Sequence, residues 1–227
     1  MKTKSILAIS FIASALLASG APVSGQEIQP IKLLNPQTTG GMPLMQALKE
    51  RRSSREFSPK ELPLQVISDL LWAANGMNRP ESWHRTAPSA MNMQEIDIYV
   101  ANADGLYLFD AKENMLLPVL GEDIRALTGQ QAFVKNVPVN LIYVADLSKI
   151  KRISGRNIDF YTAADTGFIG QNVYLYCASA GLVTVVRGAI DKPALAEAMK
   201  LQEHQKVLLA QSVGYPKDTP ESGQEER

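Results

Sequence analysis

The chain has 227 residues, 45% of them hydrophobic, and its 23 basic and 23 acidic side chains give a formal net charge of zero. This balance argues against nucleic acid as a main partner, because nucleic-acid-binding proteins usually carry a basic excess or stripe. The single cysteine, Cys177, excludes an internal disulfide, and with only two histidines, His84 and His204, we predict no metal site.

The first 25 residues have the composition of a secretory signal peptide. Lys2 and Lys4 precede an apolar run at 6–17, and small residues lead to an acceptable cleavage site at 23–25. A membrane anchor is the alternative, but the run is shorter than the roughly 20 residues that span a bilayer. We therefore expect cleavage near Gly25, export to the periplasm or the medium, and no membrane span afterwards. Cleavage removes two lysines, which leaves 21 basic and 23 acidic residues and a net charge of −2.

The next part of the chain predicts an extended arm followed by two helices. Residues 26–42 contain two prolines and two adjacent glycines and read as an arm or linker. A short helix is expected at 43–50, because proline suits the first helical position. A stronger helix is expected at 63–74, where apolar residues recur at helical spacing before Gly76 stops it. Residues 77–94 predict a loop.

The middle of the chain changes to a period of two, which indicates strands. Apolar and polar residues alternate at 96–100, a turn follows at 102–105, and returning strands are expected at 106–109 and 115–120. The continuous apolar run at 138–145 predicts a central strand that is buried on both faces.

The remaining segments predict helices alternating with strands. We expect a short helix at 121–128, a long helix at 159–180, a strand at 182–186, a helix capped by Asp191, and a last strand at 207–213. The long helix is apolar nearly all round, so it should be buried in a core or against another subunit.

The order of these elements predicts an α+β sandwich in one domain. Roughly 200 residues remain after signal cleavage, and this is an ordinary length for one domain. The domain is expected at 43–217, and the tail at 218–227 is polar.

One short stretch, KERRSSREF at 49–57, concentrates positive charge. Arg51, Arg52 and Arg55 fall within five residues. Guanidinium groups match the geometry of phosphate and carboxylate oxygens, so the cluster suits a phosphate. The alternative is a solvated surface on which Glu50 and Glu56 pair with the arginines, which contributes only about 0–1 kcal/mol.

Four stretches together resemble the FMN-dependent nitroreductase family. They are RRSSREF at 51–57, LLWAANG at 70–76, RTAPSAMN at 85–92 and GLVTVVRG at 181–188. The resemblance extends over about 43–217, and the nearest subgroup contains SagB-type dehydrogenases. It implies a three-layer α/β/α sandwich with a mostly antiparallel central sheet. It also implies a homodimer that holds two FMN molecules at the subunit interface.

The resemblance assigns the phosphate end of the cofactor site to the arginine cluster. Arg51, Arg52 and Arg55 are the implied phosphate ligands, and Ser53 the implied contact to the ribityl chain or the ring. Several charge-assisted hydrogen bonds suit a phosphate dianion. Lys217 lies in a segment that resembles the family's C-terminal phosphate segment, where relatives often place a basic residue further along; the next arginine here is Arg227.

The resemblance assigns the ring end to the other two stretches. Pro88, Ser89 and Ala90 are implied to face the isoalloxazine, and Asn92 to bind its pyrimidine edge, although Asn92 also suits a turn before a strand.

A fourth stretch is implied to approach flavin N5 and O4 through its backbone N–H groups: Thr184, Val185, Arg187 and Gly188. A plain strand end is the alternative for this stretch. Arg187 stands where many relatives carry an acid, and no catalytic side chain is assigned with certainty. Trp83 and His84 are candidates for the border of the substrate pocket, whereas Trp72 suits the core.

The implied function is that of an FMN-dependent oxidoreductase with ping-pong electron transfer through flavin N5. The acceptor would be a nitroaromatic or quinone-like compound, or the enzyme would dehydrogenate a small organic substrate. NAD(P)H is the usual donor, but the predicted export favours a donor other than a nicotinamide. The alternatives are an exported flavin-binding or scavenging protein without turnover, and a phosphate-binding module without flavin.

Overall fold

The computed structural model describes residues 27–151 and 153–217. The predicted signal peptide at 1–25 and the predicted polar tail at 218–227 lie outside this part. No helix in the described ranges is long and apolar enough to cross a membrane.

Four α-helices form where the apolar spacing predicts them: α1 Leu44–Glu50, α2 Leu64–Asn75, α3 Arg156–Ser179 and α4 Lys192–Ala198. Pro43 and Pro63 precede α1 and α2, and Gly76 ends α2. The carboxylate of Asp191 accepts the N–H of Ala194 at 3.2 Å, which confirms the predicted cap. The helix predicted at 121–128 is wrong, because only a 3-10 turn forms there, at Arg125–Thr128.

Within the described residues, one sheet contains seven strands: β1 Ile31–Lys32, β4 Ile96–Ala101, β5 Leu106–Asp110, β6 Met115–Leu120, β7 Val139–Asp146, β8 Val183–Arg187 and β9 Gln205–Gly214. Their order in the sheet is β1-β6-β5-β4-β7-β9-β8, and every pairing is antiparallel. Strands β4, β5 and β6 form the predicted meander. Strand β7 is buried along seven of its eight residues, as its continuous apolar sequence predicts.

Two hydrophobic cores cover the two faces of the sheet. On one face, Leu70 of α2 and Val173 of α3 pack against Tyr143 of β7. On the other face, Leu195 of α4 packs with Ile142 of the same strand. Adjacent residues of β7 therefore serve opposite cores, and the predicted α/β/α layering is confirmed.

Two segments without a clear period also contain strands. The predicted arm contributes β1, which pairs with β6, and the neighbouring Leu33 is only 3% exposed. The predicted loop at 77–94 contains a short antiparallel pair, β2 Met77–Arg79 and β3 His84–Arg85. Both pairs are two or three residues long, which is too short for a period to be read from sequence.

Helix α3 is buried on one side only within a single chain. Ile169, Val173 and Cys177 face the core, whereas Phe160 and Phe168 remain 67% and 47% exposed. The prediction of burial in a core or against another subunit is confirmed for this side of α3 by the core contacts, whereas the outer face with Phe160 and Phe168 is open in one chain.

Candidate functional site

The arginine cluster lies along the open edge of the sheet. It follows α1 without regular structure, and the N–H of Ser54 donates to the carbonyl of Thr184 at 3.0 Å. Strand β8 is the last strand of the sheet, so its outer backbone groups have no neighbouring strand to pair with. The contact therefore places the cluster beside the GLVTVVRG stretch, as the resemblance implies.

Tyr174 of α3 fixes this arrangement from the side. Its hydroxyl oxygen lies 2.8 Å from Ser53 Oγ and accepts the N–H of Val186 at 3.0 Å. The guanidinium of Arg51 lies 5.3 Å from the centre of the Tyr174 ring, within range of a cation–π interaction. Sequence reasoning assigned Tyr174 only to an apolar helix, because nothing in the sequence shows which way its hydroxyl points.

A cavity of about 580 Å³ opens next to the cluster. Its lining includes Arg51, Arg52, Tyr174, Cys177, Thr184 and Pro216. The volume falls in the range of roughly 300–1,000 Å³ that small-molecule sites occupy. Lys49 also lines the cavity, so three basic side chains face one acid, Glu50. This donor set fits the phosphate of FMN.

The arginines do not pair with the neighbouring acids. Among the described residues, the ion pairs within 4.0 Å join other side chains, and Glu50 instead accepts the side-chain N–H of Gln46. The solvated-pair alternative for the cluster therefore has no support in the contacts. Arg55 and Lys217 are exposed and do not line the cavity, although Pro216 next to Lys217 does.

Strand β8 presents its backbone, and not its side chains, to the open edge. The side chains of Thr184 and Val185 are buried, with 1% and 2% of their surface exposed. Thr184 and Val186 both direct backbone groups to the edge, through the bonds to Ser54 and Tyr174. Gly188 follows the end of this strand and is exposed.

The Arg187 side chain points away from this edge and is 4% exposed. It donates to the carbonyl of Thr128 at 2.6 Å, to Asn140 Oδ1 at 2.9 Å and to Ser212 Oγ at 3.2 Å. Burial lowers the pKa of the guanidinium to about 10. Arg187 is thus held by neutral acceptors in the core, and its side chain is not available to a ligand at the edge of β8.

The RTAPSAMN stretch forms a constrained loop at 88–94. Three of its residues that are not glycine adopt left-handed backbone conformations: Met91, Asn92 and Gln94, with φ of 53°, 54° and 52°. The hydroxyl of Ser89 accepts the Gln94 N–H at 3.1 Å, and Asn92 Oδ1 accepts from the Gln94 side chain at 2.9 Å. Such conformations persist only where surrounding contacts enforce them.

Within one chain this loop is separate from the arginine cavity. The Ala90 N–H donates to Asp165 of α3 at 2.9 Å, and Asp165 precedes Tyr174 by nine residues, or about 13 Å along the helix. None of Pro88, Ser89, Ala90 and Asn92 lines the cavity. One chain therefore holds two separate parts of the predicted site.

Trp83 and His84 lie on the β2–β3 hairpin, away from the cavity. Trp83 is 52% exposed, and the Lys112 ammonium lies 4.9 Å from the centre of its ring. The His84 ring contacts Ser82 Oγ at 2.9 Å. Trp72 donates to the Met77 carbonyl at 3.2 Å and is only half-buried, so the prediction that it belongs to the core is wrong.

A buried acid that sequence reasoning missed lies next to the 88–94 loop. Glu95 is 0% exposed, and no donor reaches either of its carboxyl oxygens with hydrogen-bonding geometry. Burial raises the pKa of Glu95 to about 7, and the charge of Asp165 adds to the rise; the nearby backbone N–H of Glu95 itself and Lys149 act in the opposite direction.

A larger cavity, of about 680 Å³, lies elsewhere, and its lining includes Phe57, Leu62, Asp104, Arg125 and Lys135. Arg125 forms an ion pair with Asp123 at 2.7 Å. None of the predicted cofactor residues lines this cavity. Within the described ranges, no three His, Cys, Asp or Glu side chains are grouped closely enough to hold a metal ion. Of the two cavities, the smaller one contains the predicted phosphate ligands Arg51 and Arg52.

The fold and the family comparison define the protein class. The chain is an α+β protein with the nitroreductase fold, and the model of the "Nitroreductase family" matches residues 48–215. The chain belongs to the nitroreductase family.

Three similar proteins illustrate this membership. A "putative nitroreductase" of Ralstonia eutropha JMP134, known from a crystal structure, is 42% identical in sequence to this chain. The two structures have a TM-score of 0.80, and the match covers 84% of this chain and 90% of that one. A "putative nitroreductase" of Methanocaldococcus jannaschii is 31% identical over 73% of this chain and 88% of its own length. The NADPH:FMN oxidoreductase of Vibrio harveyi, solved with NAD+, is 20% identical to this chain and has a TM-score of 0.59. The match covers 79% of this chain and 71% of that one, and at this identity it shows the fold alone.

Proposed function

We propose that the protein is an FMN-dependent oxidoreductase whose cofactor phosphate binds in the cavity lined by Arg51 and Arg52. The observation that carries the proposal is that these two guanidinium groups meet the open edge of β8 in one cavity of suitable volume. Family membership supports the class of activity.

In this proposal the residues of the chain bind and orient, and the cofactor supplies the redox chemistry. FMN held in this cavity would supply the hydride-transfer chemistry of a ping-pong cycle between a donor and an acceptor. Arg51 and Arg52 hold the phosphate, and Tyr174 orients Ser53 and β8 towards each other. Gly188, exposed directly after β8, is the proposed backbone donor towards the ring of the cofactor.

We propose that two chains form the complete site. The two separate parts of the site in one chain support this, because a partner subunit would bring its 88–94 loop to the arginine cavity. The open face of α3, with exposed Phe160, Tyr161 and Phe168, supplies an apolar surface for such contact.

The predicted export of the chain motivates the proposed electron donor. We propose signal cleavage near Gly25, and therefore a donor other than NAD(P)H, or dehydrogenation of a small organic substrate as in SagB-type enzymes. Nitroaromatic and quinone-like compounds are the proposed alternative acceptors.

The experiment is purification of the protein followed by anaerobic titration with candidate donors. The proposal expects a yellow protein that releases FMN on denaturation, bleaches with a donor and reoxidises with an acceptor. Colourless protein that takes up no added FMN would refute the flavin site. Bound FMN that no donor and acceptor pair turns over would favour the scavenging alternative, and rapid bleaching by NADPH at low micromolar concentration would refute the donor proposal.

A further inference from the structure

Glu95 lies at the junction between the 88–94 loop and the central sheet. It directly precedes β4, and its carbonyl accepts the N–H of Asp146 at 2.8 Å, so its backbone is fixed to the sheet. Its carboxyl group is fully buried and without a donor. A buried carboxylate without donors is strongly disfavoured, so the neutral acid is the form that this environment suits.

The acid next to Glu95 is the one that holds the loop. Asp165 is 2% exposed and accepts the Ala90 N–H at 2.9 Å. The other charged group that faces Glu95 is Lys149, and its ammonium lies 2.6 Å from Asp97 and 3.8 Å from Asp146. Lys149 is engaged by other acids, and the backbone N–H of Glu95 does not reach the carboxyl oxygens with hydrogen-bonding geometry, so a proton on Glu95 is the remaining donor between Glu95 and Asp165.

The loop needs such a restraint. Three hydrogen bonds restrain it: the Ala90 N–H donates to Asp165, the Gln94 N–H to Ser89 Oγ and the Gln94 side-chain amide to Asn92 Oδ1. Met91, Asn92 and Gln94 lie among these bonds in left-handed conformations. A Cβ atom disfavours this region, because it comes too close to the following carbonyl oxygen. Loss of one contact therefore favours rearrangement of the loop.

We propose that Glu95 is protonated and donates a hydrogen bond to Asp165, and that this buried acid pair positions the 88–94 loop for cofactor binding. Glu95 is thus a positioning residue that acts through Asp165 and Ala90. The role of the loop rests on the proposed function above, whereas the protonation of Glu95 does not.

The proposal sets the direction of a pH effect. When Glu95 loses its proton, two buried carboxylates face each other, and the hold of Asp165 on Ala90 weakens. The folded protein binds this proton more tightly than the unfolded chain, so its contribution to stability is present below pH 4.5 and is lost as the pH rises through about 7. FMN affinity should fall over the same rise.

Two measurements on the full-length protein test this, one with FMN and one without. Infrared spectroscopy of the flavin-free protein follows the C=O band of a protonated carboxylic acid from about pH 6 to about pH 8. Fluorescence titration gives the FMN dissociation constant over the same range. The variant is Glu95→Gln, whose amide can donate to Asp165 at every pH, and the matched control is Glu122→Gln at an exposed site.

The expected result is a band that disappears near pH 7 in the wild type and in E122Q and is absent from E95Q. The FMN dissociation constant should rise several-fold with pH in the wild type and E122Q and stay constant in E95Q.

If E95Q fails to fold, Asp165→Asn serves instead, and the band should then disappear at a lower pH, because an amide donor replaces the neighbouring charge. A wild-type spectrum without the band overturns the protonated pair, and a titrating band with pH-independent FMN affinity overturns its role in the loop. Absence of FMN binding at any pH refutes the proposed function and leaves the infrared result to decide the pair.

Discussion

The hydroxyl of Tyr174 lies 2.8 Å from Ser53 Oγ, although 121 residues separate the two in sequence. The same oxygen accepts the Val186 N–H at 3.0 Å. One side chain of α3 thus joins the arginine cluster to the edge strand of the sheet. This contact makes a single cavity wall from three distant segments of the chain.

Replacement of Tyr174 by phenylalanine should weaken FMN binding about tenfold. The change removes both hydrogen bonds, each contributing about 0.5–1.5 kcal/mol, and keeps the ring beneath Arg51. Fluorescence titration measures the affinity, and circular dichroism checks the fold. Tyr176→Phe is the matched control, because its hydroxyl makes a 3.4 Å contact to Val66 outside the cavity. Equal affinities for both variants would remove Tyr174 from the site.

The double substitution Arg51→Ala and Arg52→Ala should weaken FMN binding by about 100-fold or more. Charge-assisted hydrogen bonds contribute about 1.5–3 kcal/mol each, and both side chains line the cavity. The free energy of unfolding of the flavin-free protein should change by no more than about 1 kcal/mol, since neither side chain belongs to the core. Arg79→Ala, on the β2–β3 hairpin, is the control. Full flavin occupancy in the double variant would reject the assigned phosphate site.

Phe168→Glu should convert a dimer to a monomer. Phe168 is 47% exposed on the open face of α3, and a charge there would be costly to bury against a second subunit. Analytical ultracentrifugation measures the change in mass. Leu127→Glu, at a residue that is 44% exposed on the 3-10 turn, should leave the dimer intact. A monomeric wild type, or an F168E protein that remains dimeric, would contradict the proposed interface.

Gly129→Ala should destabilise the fold by about 1–3 kcal/mol. A Cβ atom at Gly129 would lie 1.9 Å from an Arg187 guanidinium nitrogen, and the guanidinium cannot move freely because Thr128, Asn140 and Ser212 hold it. Urea unfolding measures the change. The exposed neighbour Gln130→Ala should be close to neutral. Equal stability of G129A and the wild type would mean that the Arg187 network is adaptable.

Much of the fold is readable from local patterns. The apolar spacing of α2, the meander of β4 to β6 and the apolar run of β7 each repeat a signal over several residues, so their prediction is reliable. Strand β1 and the β2–β3 hairpin were missed because two or three residues carry no period. The helix predicted at 121–128 became a 3-10 turn at Arg125–Thr128, and boundaries of this kind are decided by neighbouring packing.

The candidate site was also predictable from the sequence only in part. The sequence shows Arg51 and Arg52 within a local concentration of positive charge, and the resemblance assigns them and residues 184–188 to one cofactor site. It could not show that the Arg187 side chain turns into the core, because strand register decides which face each residue takes. Nor could it show the orphaned carboxyl of Glu95, whose protonation depends on what surrounds it.

The sequence by itself determined the longer helices and strands, the cluster of arginines and the resemblance to the family, because these depend on residues close together along the chain. Only the tertiary structure decided that Tyr174 joins Ser53 to Val186, that Glu95 lies against Asp165, and that one chain keeps its loop and its arginine cavity apart. The physical reason is that hydrogen bonds and desolvation act between atoms a few ångströms apart, and chain folding alone sets which distant residues come that close.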